Sequence, residues 1–308
     1  MSVQLQGVLG PVVTTFQPAS GELDRVAFAN NIRTHFAAAA GGGLQGIVVN
    51  GSTGEAPLLD ERERDALVEA ARDVVPGDRL LIAGTGAEST RTCVRLTRHA
   101  ARRGADAVLV VAPHYYGVKL MNAATLRAHY WEIADKSPVP VVVYNIPKYM
   151  HFSLAPQLVA ELAQHENIVG IKDSSGDLEL LSAYLNAQSD RFAIMTGNGS
   201  TFKRSLEMGA RGGILAVSLF APALTLEVYE SVLNGSPESM AAAERAQERL
   251  TPLAARIVGD MGVAGIKAAL DRVGLCGGPV RSPLQSLGAA ELAQLTELLR
   301  NAELSLAA

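Results

Sequence analysis

Cysteine is scarce in this chain of 308 residues, which contains only Cys93 and Cys276. The two lie far apart without a nearby histidine, so they supply neither a disulfide framework nor the spacing of a metal site. We expect both to pack in the core. His-x-x-His patterns, Glu-x-x-His patterns and clusters of carboxylates are also lacking, and the sequence therefore predicts chemistry without a metal.

An excess of one charge and long apolar runs are lacking as well. The 27 basic and 31 acidic residues are mixed along the chain and give a net charge of −4, which offers no basic face to nucleic acid or to a membrane surface. The apolar stretch at residues 105–113 has about half the length of a membrane-spanning helix. Because the first residues also lack a cationic and apolar signal, we expect a cytoplasmic protein that acts on small molecules.

Short β-branched runs alternate with longer amphipathic stretches, a pattern typical of repeated βα units and a parallel sheet. Residues 60–74 show helical spacing, because their apolar side chains recur every three or four positions. No Gly-x-Gly-x-x-Gly follows the first run, which disfavours a dinucleotide-binding sheet. Eight such units therefore predict a closed α/β fold, the (β/α)8 TIM barrel. The predicted strands cover residues 8–14, 46–50, 80–83, 107–112, 139–144, 168–172, 192–196 and 212–216.

A turn signal, Asn234-Gly-Ser-Pro237, follows the eighth unit, and the rest of the sequence shows no strand pattern. Apolar spacing predicts helices over residues 237–258, 262–273 and 288–301, with a Gly-Gly-Pro connector between the last two. We therefore expect a barrel catalytic domain over residues 1–233 and a C-terminal helical domain over residues 234–308.

Lys172 is the most informative residue, because it is one of only six lysines and directly follows the apolar run Ile168-Val-Gly-Ile. Apolar neighbours disfavour an ammonium ion, so the pKa of this amine should fall and leave a nucleophile able to form a Schiff base. A surface lysine at a sheet edge is the alternative. Since perturbed lysines cluster at functional sites, we expect Lys172 to be catalytic.

Other polar residues follow the predicted strands, at the end of a barrel where active sites lie. Tyr144 ends the fifth strand, beside the strand with Lys172, so its hydroxyl could move protons with help from Ser52 or Thr53. A core tyrosine bonded to the backbone is the alternative. The turn at residues 51–54 offers hydroxyl and N–H groups suited to a carboxylate, although a plain turn has the same pattern.

Three ordered motifs resemble the dihydrodipicolinate synthase/N-acetylneuraminate lyase family of pyruvate-dependent class I aldolases. The resemblance spans nearly the whole chain and implies a homotetrameric barrel that takes pyruvate and a small aldehyde or 2-keto acid, without a cofactor. The motifs are Gly51-Ser-Thr-Gly-Glu55, Tyr144-Asn-Ile-Pro147 and Gly170-Ile-Lys-Asp-Ser-Ser-Gly176, supported by Pro113-His-Tyr-Tyr116, Gly265-Ile-Lys267 and Gly277-Gly-Pro279.

The same resemblance implies roles for individual residues. Lys172 would form the imine with pyruvate, and Tyr144 would be the proton shuttle. Ser52 and Thr53 would hold the pyruvate carboxylate or join the proton relay. A neighbouring subunit would add one tyrosine, either a catalytic Tyr115 or a substrate-binding Tyr116. The remaining residues implied to contact the substrate are Gly54, Ser174, Gly197 and Leu215.

The substrate is predicted from departures within the family. In dihydrodipicolinate synthases, which this chain resembles, the second residue after Tyr-Asn-x-Pro is typically an arginine that binds the carboxylate of the aldehyde substrate. This sequence has Tyr149 at that position. Segments such as Asn50-Gly-Ser52 and Ser137-Pro-Val-Pro-Val141 are most similar to 4-hydroxy-2-oxoglutarate aldolases. We therefore predict cleavage of 4-hydroxy-2-oxoglutarate to pyruvate and glyoxylate. The alternatives are condensation of pyruvate with aspartate semialdehyde, a 2-keto-3-deoxy sugar acid aldolase, and a barrel that binds a keto acid without turnover.

Overall fold

Eight parallel strands form a closed barrel in the computed structural model, which describes residues 3–37 and 43–307. Each strand pairs with the next in sequence, and the first closes the ring on the eighth, with Leu9 opposite Ile214. This architecture confirms the predicted TIM barrel. The strands are β1 (Gly7–Pro11), β2 (Gly46–Val49), β3 (Leu80–Gly84), β4 (Ala107–Val111), β5 (Val141–Asn145), β6 (Ile168–Asp173), β7 (Ala193–Thr196) and β8 (Gly212–Ile214).

Strand ends differ from the predicted ones where proline or a turn interrupts the sheet. β1 ends at Pro11 rather than at residue 14, and β5 begins at Val141, directly after Pro140. Proline has no N–H group for the ladder of hydrogen bonds, so strands tolerate it only near their ends. β8 stops at Ile214 because the chain then enters a 3-10 helix at Ala216–Leu219.

Helices follow the strands, and all of the α-helices before residue 237 except the short one at Gly117–Leu120 bury apolar side chains. In order along the chain they are α1 (Arg25–Ala37), α2 (Glu61–Arg72), α3 (Thr90–Arg102), α4 (Gly117–Leu120), α5 (Ala123–Lys136), α6 (Pro147–Met150), α7 (Pro156–Leu162), α8 (Leu178–Leu185), α9 (Phe202–Glu207) and α10 (Pro222–Asn234), with further 3-10 helices at Ala56–Leu58 and Gly199–Thr201.

The helix predicted over residues 60–74 is α2, and its start shows how local sequence sets a boundary. Oδ1 of Asp60 accepts a hydrogen bond from the N–H of Glu63 at 2.8 Å, and the Glu63 carboxylate accepts one from the N–H of Asp60 at 2.9 Å. This capping box satisfies two N–H groups that a helix start leaves free. The helix buries Leu67, Val68, Ala70 and Ala71.

The C-terminal segment is helical, as predicted, and consists of α11 (Pro237–Pro252), α12 (Gly262–Arg272) and α13 (Ala289–Asn301). A π-helix at Leu253–Asp260 replaces the end of the helix predicted over residues 237–258. Pro252 cannot donate a helical hydrogen bond, which is a physical reason for the wider turns that follow it. Leu250 and Ile257 join the same buried apolar cluster as the barrel strands. The division into two domains at residue 234 stays a prediction.

The described ranges contain no helix that is both long and apolar enough to cross a membrane. Of the two cysteines, Cys93 is buried as expected, whereas Cys276 is half-buried, and both are free thiols.

Candidate active site

A cavity of about 500 Å³ lies at the C-terminal ends of the strands. Its wall combines residues of the barrel with residues of the π-helix and of α12. Active sites of TIM barrels lie at this end of the strands. The cavity brings together six of the residues that the sequence singled out, namely Ser52, Thr53, Tyr144, Lys172, Ser174 and Gly197.

Lys172 lies near the end of β6 with only 5% of its surface exposed. Its partner on β5 is Tyr144, and Nζ of the lysine lies 4.4 Å from the centre of the tyrosine ring. Burial penalises the ammonium form and lowers the pKa of Lys172 to about 7. Near neutral pH, Lys172 is therefore a free amine in a large fraction of the molecules, as Schiff-base formation requires.

The Tyr144 hydroxyl is bonded to other hydroxyl groups of the cavity. Burial raises the pKa of Tyr144, and hydrogen bonds with Ser174 and Ser52 partly offset that rise. The phenol is therefore protonated at neutral pH and can donate a proton to an oxygen that becomes charged. A proton relay through these hydroxyl groups stays a prediction.

A buried carboxylate follows Lys172 and fixes the end of β6. Asp173 accepts hydrogen bonds from Nδ2 of Asn145 at 2.7 Å and from the N–H and hydroxyl of Ser175 at 3.1 and 2.7 Å. Burial raises the pKa of Asp173, and these hydrogen bonds oppose the rise. Asn145 and Asp173 were not among the predicted site residues. The available signal was that each residue directly follows a predicted catalytic residue on a neighbouring strand.

Gly197 leaves open space beside the amine. A Cβ atom at this position would lie 1.9 Å from Oγ of Ser174 and 2.9 Å from Cε of Lys172. Both distances are too short for atoms that are not bonded, so a larger residue would displace one of these side chains. The absent side chain at Gly197 thus makes room for a ligand at Lys172.

Gly54 and Leu215 do not line this cavity in the described part of the chain, although the resemblance implied that they contact the substrate. The carbonyl oxygen of Gly54 accepts a hydrogen bond from the Thr14 hydroxyl at 2.7 Å. Leu215 points into the core, and its neighbours Ile214 and Ala216 line the cavity instead. Successive side chains of an extended segment point to opposite sides, so a shift of one position changes which of them face a ligand.

Tyr115 and Tyr116 also lie outside this cavity within a single chain. They follow β4 and are 80% and 67% exposed. Their rings pack edge to face with centroids 5.3 Å apart. Large aromatic side chains with this exposure are available to a second molecule, and whether either enters a neighbouring site stays a prediction.

Part of the cavity wall was not predicted from the sequence. Nζ of Lys148 donates a hydrogen bond of 2.6 Å to the carbonyl oxygen of Gly259 in the π-helix, and Tyr149 lies beside it. The two bonded residues are 111 positions apart. No local pattern indicates such a contact. The other wall residues that were missed include Ser175, Asn198, Ser200, Ala254, Val258 and Ile266.

Comparison with known proteins identifies the family. A family model described as the dihydrodipicolinate synthetase family matches residues 4–302. The chain belongs to this family. It is therefore a carbon–carbon lyase of the class I, pyruvate-dependent aldolase type, as the three motifs implied.

Relatives of the dihydrodipicolinate synthetase family cover nearly the whole chain. Proteins named 4-hydroxy-tetrahydrodipicolinate synthase from Methanospirillum hungatei JF-1 and Exiguobacterium sibiricum are 34% and 33% identical, over 96% and 95% of this chain and 98% and 96% of their own. The crystal structure of dihydrodipicolinate synthase from Aquifex aeolicus has a TM-score of 0.90 at 28% identity, covering 99% of this chain and 100% of that chain. The structure of YagE, a prophage protein of the same family from E. coli K12 in complex with pyruvate, has a TM-score of 0.90 at 29% identity. It covers 98% of this chain and 100% of the YagE chain.

Within residues 3–37 and 43–307, no group of three or more histidine, cysteine, aspartate or glutamate side chains is arranged to hold a metal ion.

Proposed function

We propose that this family member forms an imine between Lys172 and pyruvate. The buried amine of Lys172 supports this proposal, because its pKa is lowered to about 7. It lies beside the ring of Tyr144, and both residues line the same cavity. The related structure of YagE is described in complex with pyruvate, which supports the same ligand here. A barrel that only bound keto acids would not need a strand-end amine with a lowered pKa.

In the proposed reaction, the neutral amine attacks C2 of the keto acid, and loss of water leaves a protonated imine. The imine nitrogen accepts electrons better than a ketone oxygen does, so C3 gives up a proton to a water molecule and an enamine forms. The enamine carbon then adds to an aldehyde, and Tyr144 donates its proton to the new alkoxide oxygen. In the cleavage direction these steps run in reverse. Hydrolysis of the imine returns the free amine of Lys172.

The turn at residues 51–54 is our candidate receptor for the pyruvate carboxylate. Ser52 and Thr53 line the cavity with Lys172, and hydroxyl and N–H groups in a tight turn suit a carboxylate. Because Ser52 also bonds to Tyr144, we assign proton exchange to Ser52 and carboxylate binding to Thr53.

For the acceptor, we place condensation of pyruvate with aspartate semialdehyde first. The name shared by the relatives, 4-hydroxy-tetrahydrodipicolinate synthase, supports this alternative. The comparisons do not support the 4-hydroxy-2-oxoglutarate aldolase activity that was predicted from the sequence. On the cavity wall, Lys148 could exchange its hydrogen bond to Gly259 for one to the acceptor carboxylate.

Cleavage of 4-hydroxy-2-oxoglutarate is the second candidate because of Tyr149. This tyrosine lines the cavity, 42% exposed, at the position where the resemblance led us to expect a carboxylate-binding arginine. A 2-keto-3-deoxy sugar acid is the third candidate, since Ser175, Asn198 and Ser200 offer hydroxyl and amide groups to a polyhydroxylated substrate.

Borohydride reduction in the presence of pyruvate tests the imine. Peptide mass spectrometry should locate a reduced adduct on Lys172, and the Lys172→Ala variant should carry none. An unmodified Lys172 in the folded protein would refute the proposal. The acceptor is then chosen by comparing kcat/KM for condensation with aspartate semialdehyde against cleavage of 4-hydroxy-2-oxoglutarate and of a 2-keto-3-deoxy sugar acid. The substrate with the largest kcat/KM identifies the substrate class.

We also propose a homotetramer in which Tyr115 or Tyr116 enters a neighbouring active site. Val118 and Leu120 are exposed beside these tyrosines, and a second copy of the chain would cover this apolar patch. Light scattering after size exclusion tests the assembly, and a monomer would contradict it. A cytoplasmic location stays a prediction that fractionation of cells would test.

A further inference from the structure

The hydroxyl turn (residues 51–54) lies between two residues with strained backbones. Asn50 and Glu55 adopt left-handed conformations, with φ of 55° and 57°. Such conformations cost free energy in residues other than glycine and persist where surrounding contacts hold them. Two hydrogen bonds close the turn, from the N–H of Glu55 to the Ser52 carbonyl at 3.1 Å and from the N–H of Ala56 to the Gly51 carbonyl at 3.2 Å.

The contact that holds Glu55 is a buried ion pair with the C-terminal segment. Oε1 of Glu55 lies 2.5 Å from Nζ of Lys267, and Oε2 accepts the N–H of Arg281 at 2.8 Å. Glu55 and Lys267 are 2% and 1% exposed. Nζ of Lys267 also donates to the carbonyl oxygen of Pro279 at 2.6 Å and lies 4.6 Å from the centre of the Phe16 ring. Burial lowers the pKa of Lys267, and the carboxylate of Glu55 partly offsets this effect.

Arg281 connects the ion pair to the start of α2. Its guanidinium donates to both carboxylate oxygens of Glu63, at 2.8 and 2.6 Å, and to the Leu58 carbonyl at 2.9 Å. A bidentate pair of this kind fixes direction as well as distance. Gly277 lets the segment approach α12, because a Cβ there would lie 1.9 Å from the carbonyl oxygen of Lys267. The sequence motifs around Lys267 and Gly277 therefore meet behind the hydroxyl turn.

We propose that Glu55, Lys267 and Arg281 are positioning residues that hold the hydroxyl turn in place for the keto acid. Replacing a buried ion pair by apolar residues is often neutral or stabilising, so fold stability alone does not explain this one. The ion pair instead requires its charged groups to lie at fixed positions, and it thereby stabilises one conformation of the turn. On this view the C-terminal helices complete the active site from behind. The test of this role by pyruvate trapping rests on the proposed function, whereas the test by hydrogen exchange does not.

Lys267→Met tests the proposal, because it removes the ammonium group and keeps an unbranched side chain. Lys203→Met is the matched control, since Lys203 pairs with Glu207 and Glu244 at 2.6 and 2.9 Å outside the cavity wall. Trapping of Lys172 by borohydride is measured against pyruvate concentration, below the melting temperature of each variant. We expect Lys267→Met to need about tenfold more pyruvate for half-maximal trapping, and Lys203→Met to need the same as the wild type. A half-maximal concentration within about twofold of wild type in Lys267→Met would overturn the proposal.

Hydrogen exchange of peptides over residues 46–58 gives a readout without pyruvate. We expect the turn amides to exchange about tenfold faster in Lys267→Met than in the wild type or in Lys203→Met. Unchanged exchange overturns the proposal whatever the trapping shows. If the wild type forms no imine, the proposed function is wrong, and the hydrogen-exchange rates alone test whether Lys267 positions the turn. Should Lys267→Met not fold, the double variant Glu55→Gln/Lys267→Met removes both charges, and the same two outcomes apply to it.

Discussion

Tyr144 and Lys172 are direct partners on β5 and β6, with Nζ of the lysine 4.4 Å from the centre of the tyrosine ring. Paired strands rather than a flexible loop set the spacing of the proposed nucleophile and proton donor. The face of the ring attracts an ammonium ion by only about 1–2 kcal/mol, which is less than the hydration that burial removes. The pKa of Lys172 therefore falls despite this contact.

Imine formation should become faster as the pH rises and level off above about pH 7. The neutral amine is the nucleophile, and the pKa of Lys172 is lowered to about 7, so protonation stops the reaction at lower pH. Initial rates of borohydride trapping at saturating pyruvate, measured from acidic to alkaline pH, check this. A rise centred near 10.5, the ordinary pKa of lysine, would contradict it.

Lys172→Met should stabilise the fold, most strongly at low pH. The pKa of Lys172 lies at about 7 in the folded protein against 10.5 as its ordinary value, so the unfolded chain binds the extra proton between these limits. Stability of the wild type therefore rises with pH across this window. We expect the variant to gain up to about 5 kcal/mol of unfolding free energy at pH 6, shrinking toward pH 10. Denaturant unfolding at both pH values tests this, and a gain independent of pH would contradict it.

Tyr144→Phe should lower kcat by about 100-fold or more, because the alkoxide loses its proton donor. Trapping of pyruvate on Lys172 should persist, since the amine and the ring remain. Tyr130→Phe is the control, because the Tyr130 hydroxyl donates a hydrogen bond of 3.2 Å to the Val110 carbonyl in the core. That change should cost about 1 kcal/mol of stability and leave kcat unchanged. Equal effects of the two variants on kcat would show that Tyr144 is merely structural.

Ser52→Ala and Thr53→Val should affect different kinetic constants. Without Ser52, Tyr144 loses one of the two hydrogen bonds that lower its pKa, so kcat should fall by about tenfold. Without the Thr53 hydroxyl, the keto-acid carboxylate loses a donor, so KM for pyruvate should rise by about tenfold at a similar kcat. Steady-state kinetics of both variants separate the roles. The reverse pattern would exchange the two assignments.

Gly197→Ala should slow imine formation by about tenfold or more, because the new methyl group would occupy space beside Ser174 Oγ and Lys172 Cε. The matched control is Gly77→Ala, since a Cβ at Gly77 meets no atom of the described residues within 4 Å. Trapping rates at fixed pyruvate compare the two. Wild-type rates in Gly197→Ala would mean that the cavity adjusts and that the glycine is not required.

Several features were predictable because they depend on neighbouring residues. The alternation of apolar runs and amphipathic stretches predicted all eight strands, with errors at ends such as Pro11 and Pro140, where a missing N–H group stops the ladder. The apolar residues before Lys172 indicated its burial. The orientation of Leu215 was not predictable, because a shift of one residue in an extended segment reverses which side chain faces the cavity.

The sequence by itself determined the barrel, the strand-end lysine and the hydroxyl turn, since each follows from residues that are contiguous in the chain. Only the tertiary structure decided that Lys148 bonds to Gly259 and that Arg281 bonds to Glu55, across 111 and 226 positions. Such contacts form only when the barrel closes and the C-terminal helices pack on it. Local patterns do not encode them, because their geometry depends on how distant segments pack together.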